Sequence, residues 1–256
     1  MPPILENKNP KLPSVFQPSA LLREARRQKN LPVGEVPAVC ILDPDGDIVR
    51  CLRQEGRSQP VEGWPCYHTQ LDKFVLAGQT VGIVGCAVGA PFAVLVAEEL
   101  FACGCRAIFS ITSAGQIIPA GPTPYFVIID RALRDEGTSY HYAAPSEYSE
   151  ADSRLVTLAA KALKAKGLHV IVGPTWTTDA PFRETADAIE AARQKGLLAV
   201  EMEAAALYSF AQANNVPVLC IAHVTNTMGQ AERDFEKGEA DGTADALLVL
   251  EAMIAN

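Results

Sequence analysis

The stretch LLAVEMEAAALYSFAQANNVPVLCIAHVTN, residues 197–226, decides how this chain folds. A short apolar run, LLAVEM, reads as a strand that passes through Glu201, Met202 and Glu203 into a helix over 202–214, and VPVLCIAHV returns as a second strand. Strand, helix, strand is the repeating unit of an α/β sheet. The two carboxylates stand at the strand's carboxyl end, where open α/β sheets bind ligands, and packing alone explains them poorly. The competing reading makes both ordinary helix-start acids, favoured by the macrodipole.

Working outward, the same alternation fills the chain from Val36 onward. Strand candidates are PAVCILD, KFVLAG, TVGIVGCAV, RAIFSITS, YFVIIDRAL and HVIVGP, and helices are expected over 90–103, 150–166, 184–195 and 240–255. Ser149 followed by Asp152 resembles a capping box, and Gly167 and Gly196 are natural helix stops. Residues 1–36 read as a Pro-rich, charged arm with one amphipathic helix, SALLREARRQK, in which Leu21, Leu22 and Ala25 share a face. Its Arg23, Arg26, Arg27 and Lys29 either form a solvated face or line a phosphate site. Residues 37–256 form a single domain without internal repeats or linkers.

The chain has 256 residues, 48% hydrophobic and 20% charged, enough apolar material for one large core. A net charge of -8 argues against a nucleic-acid-binding face and points to a small-molecule substrate. No apolar run reaches the roughly 20 residues of a bilayer span, and MPPILENKNPKLPSVF lacks the pattern of a secretory signal, so the reading is a cytoplasmic protein with no membrane partner. Seven scattered cysteines without a Cys-x-x-Cys pair read, most of them, as buried thiols, and the four histidines have no metal-ligand spacing. No metal is expected.

VEMEAAALY resembles the VEMEAA or YEMESA segment of the uridine and hexameric-type purine nucleoside phosphorylases. GCAVGAPFAVLVAEEL resembles that family's glycine-rich turn and following helix, SITSAGQIIPAG its next strand and loop, and TWTTDAPFRET its base-binding loop. The resemblance implies a three-layer α/β/α fold with a mixed, partly barrel-like central sheet. It also implies that Met202 packs on a ribose whose 2′- and 3′-hydroxyls donate to Glu203, with Glu201 beside them in the substrate-binding set. A carboxylate there also places negative charge near a sugar that becomes oxocarbenium-like at the transition state. Ser113, Ala114 and Gly115 would line the pocket near the sugar and the nucleophile, and Thr178, Phe182 and Arg183 would lie near the base. Phe182 reads equally as a stacking platform or as core.

RDEGTSYHY resembles a family loop that would put His141 at the pocket mouth, reaching a neighbouring subunit; the alternative is a solvent-facing loop carrying Asp135, Glu136 and His141. Asn226 stands where many purine-cleaving relatives carry a proton-donating Asp. An amide can pair with a base bearing a carbonyl beside an N–H, which favours uracil or a 6-oxopurine. The implied assembly is a homo-oligomer: a dimer, trimer or hexamer.

The chain departs from the family where phosphate binds. Ile48 and Ser110 occupy the positions of two arginines, removing the bidentate contacts that favour an oxyanion. Arg50, Arg134 or an arm residue would have to substitute. SAG also resembles the matching piece of the methylthioadenosine and S-adenosylhomocysteine nucleosidases, which use water. The expected activity is phosphorolysis of a nucleoside, with phosphate as co-substrate and no cofactor; hydrolysis is the alternative, and a non-catalytic nucleoside-binding protein the remote one. DPDGD further resembles the haloacid-dehalogenase nucleophile motif, with Asp43 as nucleophile and Asp45 as acid and base, but no later Lys and paired-Asp motif accompanies it. The remaining ligands of a calcium loop are absent too.

Overall fold

The computed structural model describes residues 3–228, 234, 235 and 237–255. A helix of the arm, α1 (Pro18–Lys29), precedes β1 (Val39–Asp43), α2 (Asp47–Gln54), β2 (Gln59–Pro60), β3 (Asp72–Leu76), β4 (Gln79–Gly85), α3 (Ala90–Ala102) and β5 (Ala107–Gln116). Then follow β6 (Tyr125–Asp135), α4 (Ser139–Tyr142), β7 (Tyr148–Glu150), α5 (Ser153–Ala165), β8 (Ile171–Thr178), α6 (Ala186–Gln194), β9 (Ala199–Glu201), α7 (Ala204–Asn214), β10 (Val218–Asn226) and α8 (Thr243–Ile254).

The strands form one mixed sheet in which β10, β6, β8, β9 and β5 close on themselves through the parallel β5–β10 pair. β1, β4, β3 and β2 extend it from β5. One edge of β5 is shared: β1 pairs with its first half (Ala107 to Ser110) and β9 with its end (Gly115 and Gln116). Between them the sheet parts. Chain segments leaving β1 and β9 meet there, the kind of junction at which α/β sheets hold ligands.

Helices cover both faces, as expected. α3 and α7 pack on one side with the inward residues of β5 and β10, such as Ala114, Cys220 and Val224. α2, α5 and α8 pack on the other with Ile41, Ile111 and Ile221. Tyr208 of α7 is fully buried, and its hydroxyl donates to Ile129 O (2.6 Å) and accepts from Cys220 N (3.0 Å). These bonds fix α7 against β6 and β10. α1 lies against α3 with Leu22 and Ala25 buried, and fully burying a leucine contributes about 1.5–3 kcal/mol.

Two local readings need correction. The capping box at Ser149 is absent: Ser149 lies in β7, hydrogen-bonded to Ser209 across to α7, and Asp152 is itself the cap of α5, accepting from Arg154 N at 2.9 Å. The segment after β1, for which the sequence suggests no helix, opens helix α2. Asp43 makes that helix possible, because its buried carboxylate accepts from Gly46 N and Val49 N. Gly46 supplies the left-handed turn at φ 76°. Among the described residues no helix is long and apolar enough to cross a membrane.

Candidate active site

β9 ends where α7 begins, and the Glu-Met-Glu triplet spans the joint. Glu201 Oε1 accepts from the Thr175 and Thr177 hydroxyls (3.1 and 2.5 Å), while Oε2 accepts from Glu203 N and Ala204 N, both at 2.7 Å. Thr177 Oγ in turn accepts from Ala205 N at 2.9 Å. Glu201 therefore caps α7 and ties it to β8, and burial raises its pKa. This corrects its place in the substrate-binding set: all of its acceptor directions serve the fold.

Glu203 is the contrasting case. Its Oε1 accepts from Gly89 N at 2.7 Å, and its Oε2, equally buried, has no hydrogen-bond partner among the described residues. Gly89 reaches it because its φ of 90° with ψ of 149° is open only to glycine. Burial, and then the charge of Glu201, push the Glu203 pKa up to about 8. An orphaned carboxylate oxygen in the core is costly unless something binds it. Met202, half-buried, lies between the two acids.

On β5 the SAG triplet divides three ways. Ser113 donates from both N–H (2.9 Å) and Oγ to the Asp45 carboxylate. Ala114 faces the core. Gly115 packs against β10, where a Cβ would meet Met228 at 2.8 Å and Asn226 at 3.4 Å. Asn226 is buried; its Nδ2 donates to Ala114 O (3.4 Å) and Thr225 Oγ (3.2 Å), and its Oδ1 accepts from Met228 N (2.8 Å).

The turn after β1 supplies residues that sequence reading placed elsewhere or missed. Asp45 sits on Ser113, with Lys237 Nζ 3.6 Å from its Oδ2, and Lys237 donates to Asp47 at 2.5 Å. His223, paired in register with Ser113, stacks on Phe126 at 4.3 Å and lines the same small cavity. Burial and the neighbouring Lys237 lower its pKa to about 4, so it is neutral. Asp43 is pushed up to about 7, chiefly by burial. With both its oxygens capping α2, it is not available as a phosphatase nucleophile. No sequence motif links Lys237 to Ser113, which lie far apart along the chain.

None of the expected substitutes for the missing arginines stands free at this point. Arg50 pairs with Asp47 at 2.8 Å. Arg134 is buried and organises its own loop through Ser139, Ala144 and Ser146, with the Tyr140 ring 4.3 Å from its guanidinium. In the arm, Arg23 and Arg27 pair with Glu24, Arg26 donates to Cys103 Sγ, and Lys29 donates to Pro65 O and Cys66 O. Ile48 is buried in the core, and the buried Ser110 hydroxyl has no partner among the described residues.

The outer residues are less gathered. Phe182 is 99% exposed on a short turn, so it is not core. Arg183 beside it is exposed, and Thr178 is buried, accepting from Ala180 N. His141 is exposed in a groove with Phe16, Leu21, Leu95 and Glu98, which Glu203, Ser113 and Asn226 do not line. Asp135 and Glu136 have structural partners: Asp135 accepts from Trp176 Nε1 and Glu136 from Thr138 N and Ser139 N.

A profile of the phosphorylase superfamily matches residues 34–255. A uridine phosphorylase from Thermococcus kodakarensis is 26% identical over 202 residues, 72% of this chain and 71% of that protein. A DeoD-type purine nucleoside phosphorylase from Streptococcus uberis is 27% identical over 183 residues, 70% of this chain and 77% of that protein. Among solved structures, a uridine phosphorylase from Vibrio fischeri ES114 has a TM-score of 0.72 at 20% identity, covering 86% of this chain and 91% of that one, a likeness of fold. The profile match leaves no strand of the sheet outside it, and this chain belongs to the phosphorylase superfamily.

Proposed function

We propose that the chain cleaves the N-glycosidic bond of a nucleoside by phosphorolysis, giving a free base and ribose 1-phosphate. The observation that carries this reading is Glu203, a buried carboxylate with one oxygen held by Gly89 N–H and the other without a partner. A pair of vicinal hydroxyls supplies the donors that oxygen lacks, and the same charge stabilises an oxocarbenium-like sugar. Met202 packs on the ribose. Ser113 N–H, Ser113 Oγ and Lys237 Nζ converge where an attacking anion would sit.

Asn226, with the buried Thr178 and the exposed Arg183, is assigned to the base. Its amide, lacking a transferable proton, favours a leaving uracil or 6-oxopurine. Replacing Asn226 by Asp is expected to shift kcat/KM about tenfold or more toward adenosine over uridine. An unchanged ranking across a nucleoside panel would remove Asn226 from the base site. The substrates are nucleoside and phosphate, with no cofactor, in a cytoplasmic homo-oligomer whose neighbouring chain takes up His141.

Hydrolysis is the second reading, and a specific observation favours it. Asp43, Asp45 and Asp47 line the anion locus, while Ile48 and Ser110 stand where relatives carry arginines. The test is base release from uridine, thymidine, inosine, guanosine, adenosine and 5′-methylthioadenosine, with and without phosphate, using phosphate-free protein. Phosphate-dependent release with ribose 1-phosphate is the expected result. Phosphate-independent release of free ribose would replace phosphorolysis with hydrolysis. Saturable binding without base release would make the chain a binding protein.

A further inference from the structure

We propose that Asp45 is a built-in competitor for the anionic co-substrate, its carboxylate filling the donor set that inorganic phosphate must take over before the reaction starts. The inference rests on the phosphorolysis reading above. Three donors of two distant segments meet on one atom: Ser113 N–H and Ser113 Oγ bond to Asp45 Oδ2, and Lys237 Nζ approaches the same oxygen at 3.6 Å. Converging backbone N–H, hydroxyl and ammonium groups are the chemistry of an oxyanion site. In this chain the oxyanion is the protein's own side chain.

The turn that carries Asp45 is built so that this side chain can leave without undoing the fold. Asp43, two residues earlier, is 2% exposed and locked by two backbone N–H groups of α2. The Asp45 side chain is 33% exposed and is held by Ser113 and Lys237. Rotation about its side-chain torsions carries the carboxylate to water and leaves the Asp43 cap in place. Lys237 stays anchored meanwhile by Asp47, which also holds Arg50. A second observation marks the locus as ligand-binding. His223, 6% exposed and lining the same cavity, has its Nε2 buried without a hydrogen-bond partner among the described residues.

Phosphate and the Asp45 carboxylate cannot hold the same donors, and as like charges they repel. The apparent phosphate affinity is therefore the intrinsic affinity multiplied by the fraction of molecules with Asp45 swung out. If that fraction is on the order of 1–10%, removing the carboxylate tightens phosphate binding about 10- to 100-fold. The device sets a phosphate threshold: the enzyme stays idle when phosphate is scarce and has its donors covered while idle.

The experiment compares wild type, Asp45→Ala and Asp45→Asn in the full chain, measuring KM for inorganic phosphate at saturating uridine or inosine. Binding of inorganic phosphate alone is followed by calorimetry as a readout that does not need turnover. The expected result is a phosphate KM and Kd lowered about 10- to 100-fold in Asp45→Ala, with a smaller drop in Asp45→Asn, whose neutral amide oxygen still accepts from Ser113. KM for the nucleoside should move much less. An unchanged or raised phosphate Kd in both variants, with a phosphorolytic wild type, overturns the role of Asp45 and leaves phosphorolysis standing. Base release that ignores phosphate in the wild type and collapses in Asp45→Ala overturns both, because Asp45 would then be serving water.

Discussion

Glu203→Ala is expected to lower kcat/KM about a thousandfold, roughly 4 kcal/mol of transition-state stabilisation, while the protein still folds. Both halves of that expectation come from the same oxygen. Oε2 has no hydrogen-bond partner within the described chain, so alanine removes a desolvated acceptor whose burial opposes folding, at the cost of the bond from Gly89 N and the favourable influence of the Thr112 side chain. In the substrate complex the same oxygen accepts a sugar hydroxyl and faces the developing positive charge. Its loss then appears in kcat as well as KM. A folded variant with near-normal turnover would remove Glu203 from the ribose site.

The raised pKa of Glu203 adds a signature that alanine alone does not give. The carboxylic acid is neutral below about 8, and the role assigned needs the carboxylate. Wild-type kcat/KM should rise with pH through that region, and Glu203→Gln should lose the limb together with most of the activity. Linkage fixes the sign for the ligand-free protein. Between the ordinary carboxylate range and about 8 the folded state holds a proton that the unfolded chain releases, so Glu203's contribution to stability declines as pH rises across that window. Urea midpoints measured from pH 5 to 8.5 should fall less steeply in Glu203→Gln.

Glu201→Ala is expected to do the reverse, destabilising the fold by about 3–5 kcal/mol, the range for breaking a buried, fully partnered charged group. The substitution strands two threonine hydroxyls and the N–H groups of Glu203 and Ala204, all in the core. The α7 N-terminus would fray where it must hold Met202 and Glu203. Glu201→Gln should cost less, since its amide oxygen still accepts at one end of the same site. The check is the midpoint of equilibrium unfolding in urea; a Glu201→Ala protein as stable as wild type, but inactive, would return Glu201 to the substrate.

These two acids also show how far the sequence reaches. Period-two alternation would turn Glu201 and Glu203 to the same side of a continuing strand; β9 instead ends at Glu201 and Glu203 stands at the N-terminus of α7, and the two carboxylates meet different partners. Which of them is the cap depends on Thr175 and Thr177, contributed by the neighbouring strand β8 and not marked by any local pattern. Strands and the long helices were legible because each is an apolar run or period of its own. Closure of the sheet was carried by the family resemblance, since the β5–β10 pair joins segments more than a hundred residues apart.

Helix α2 escaped notice because Asp-Pro-Asp-Gly has the composition of a turn; the turn is real, but Asp43 continues it into a helix. The anion locus was half legible. Ser113 follows from the SAG resemblance, whereas Asp45 and Lys237 reach it from a turn and a distant loop that only the folded chain brings together. Phe182 reads in the sequence equally as a stacking platform or as core, and its 99% exposure removes the core reading.

The central claim is that phosphate is the partner in breaking the glycosidic bond, and running the reaction backwards tests it most directly. Uracil or hypoxanthine incubated with ribose 1-phosphate and the full chain is expected to yield nucleoside and inorganic phosphate in equal amounts, with the yield lost in Glu203→Ala. An enzyme that releases base from the nucleoside, yet makes neither nucleoside nor phosphate from ribose 1-phosphate and free base, would contradict phosphorolysis and leave water as the nucleophile.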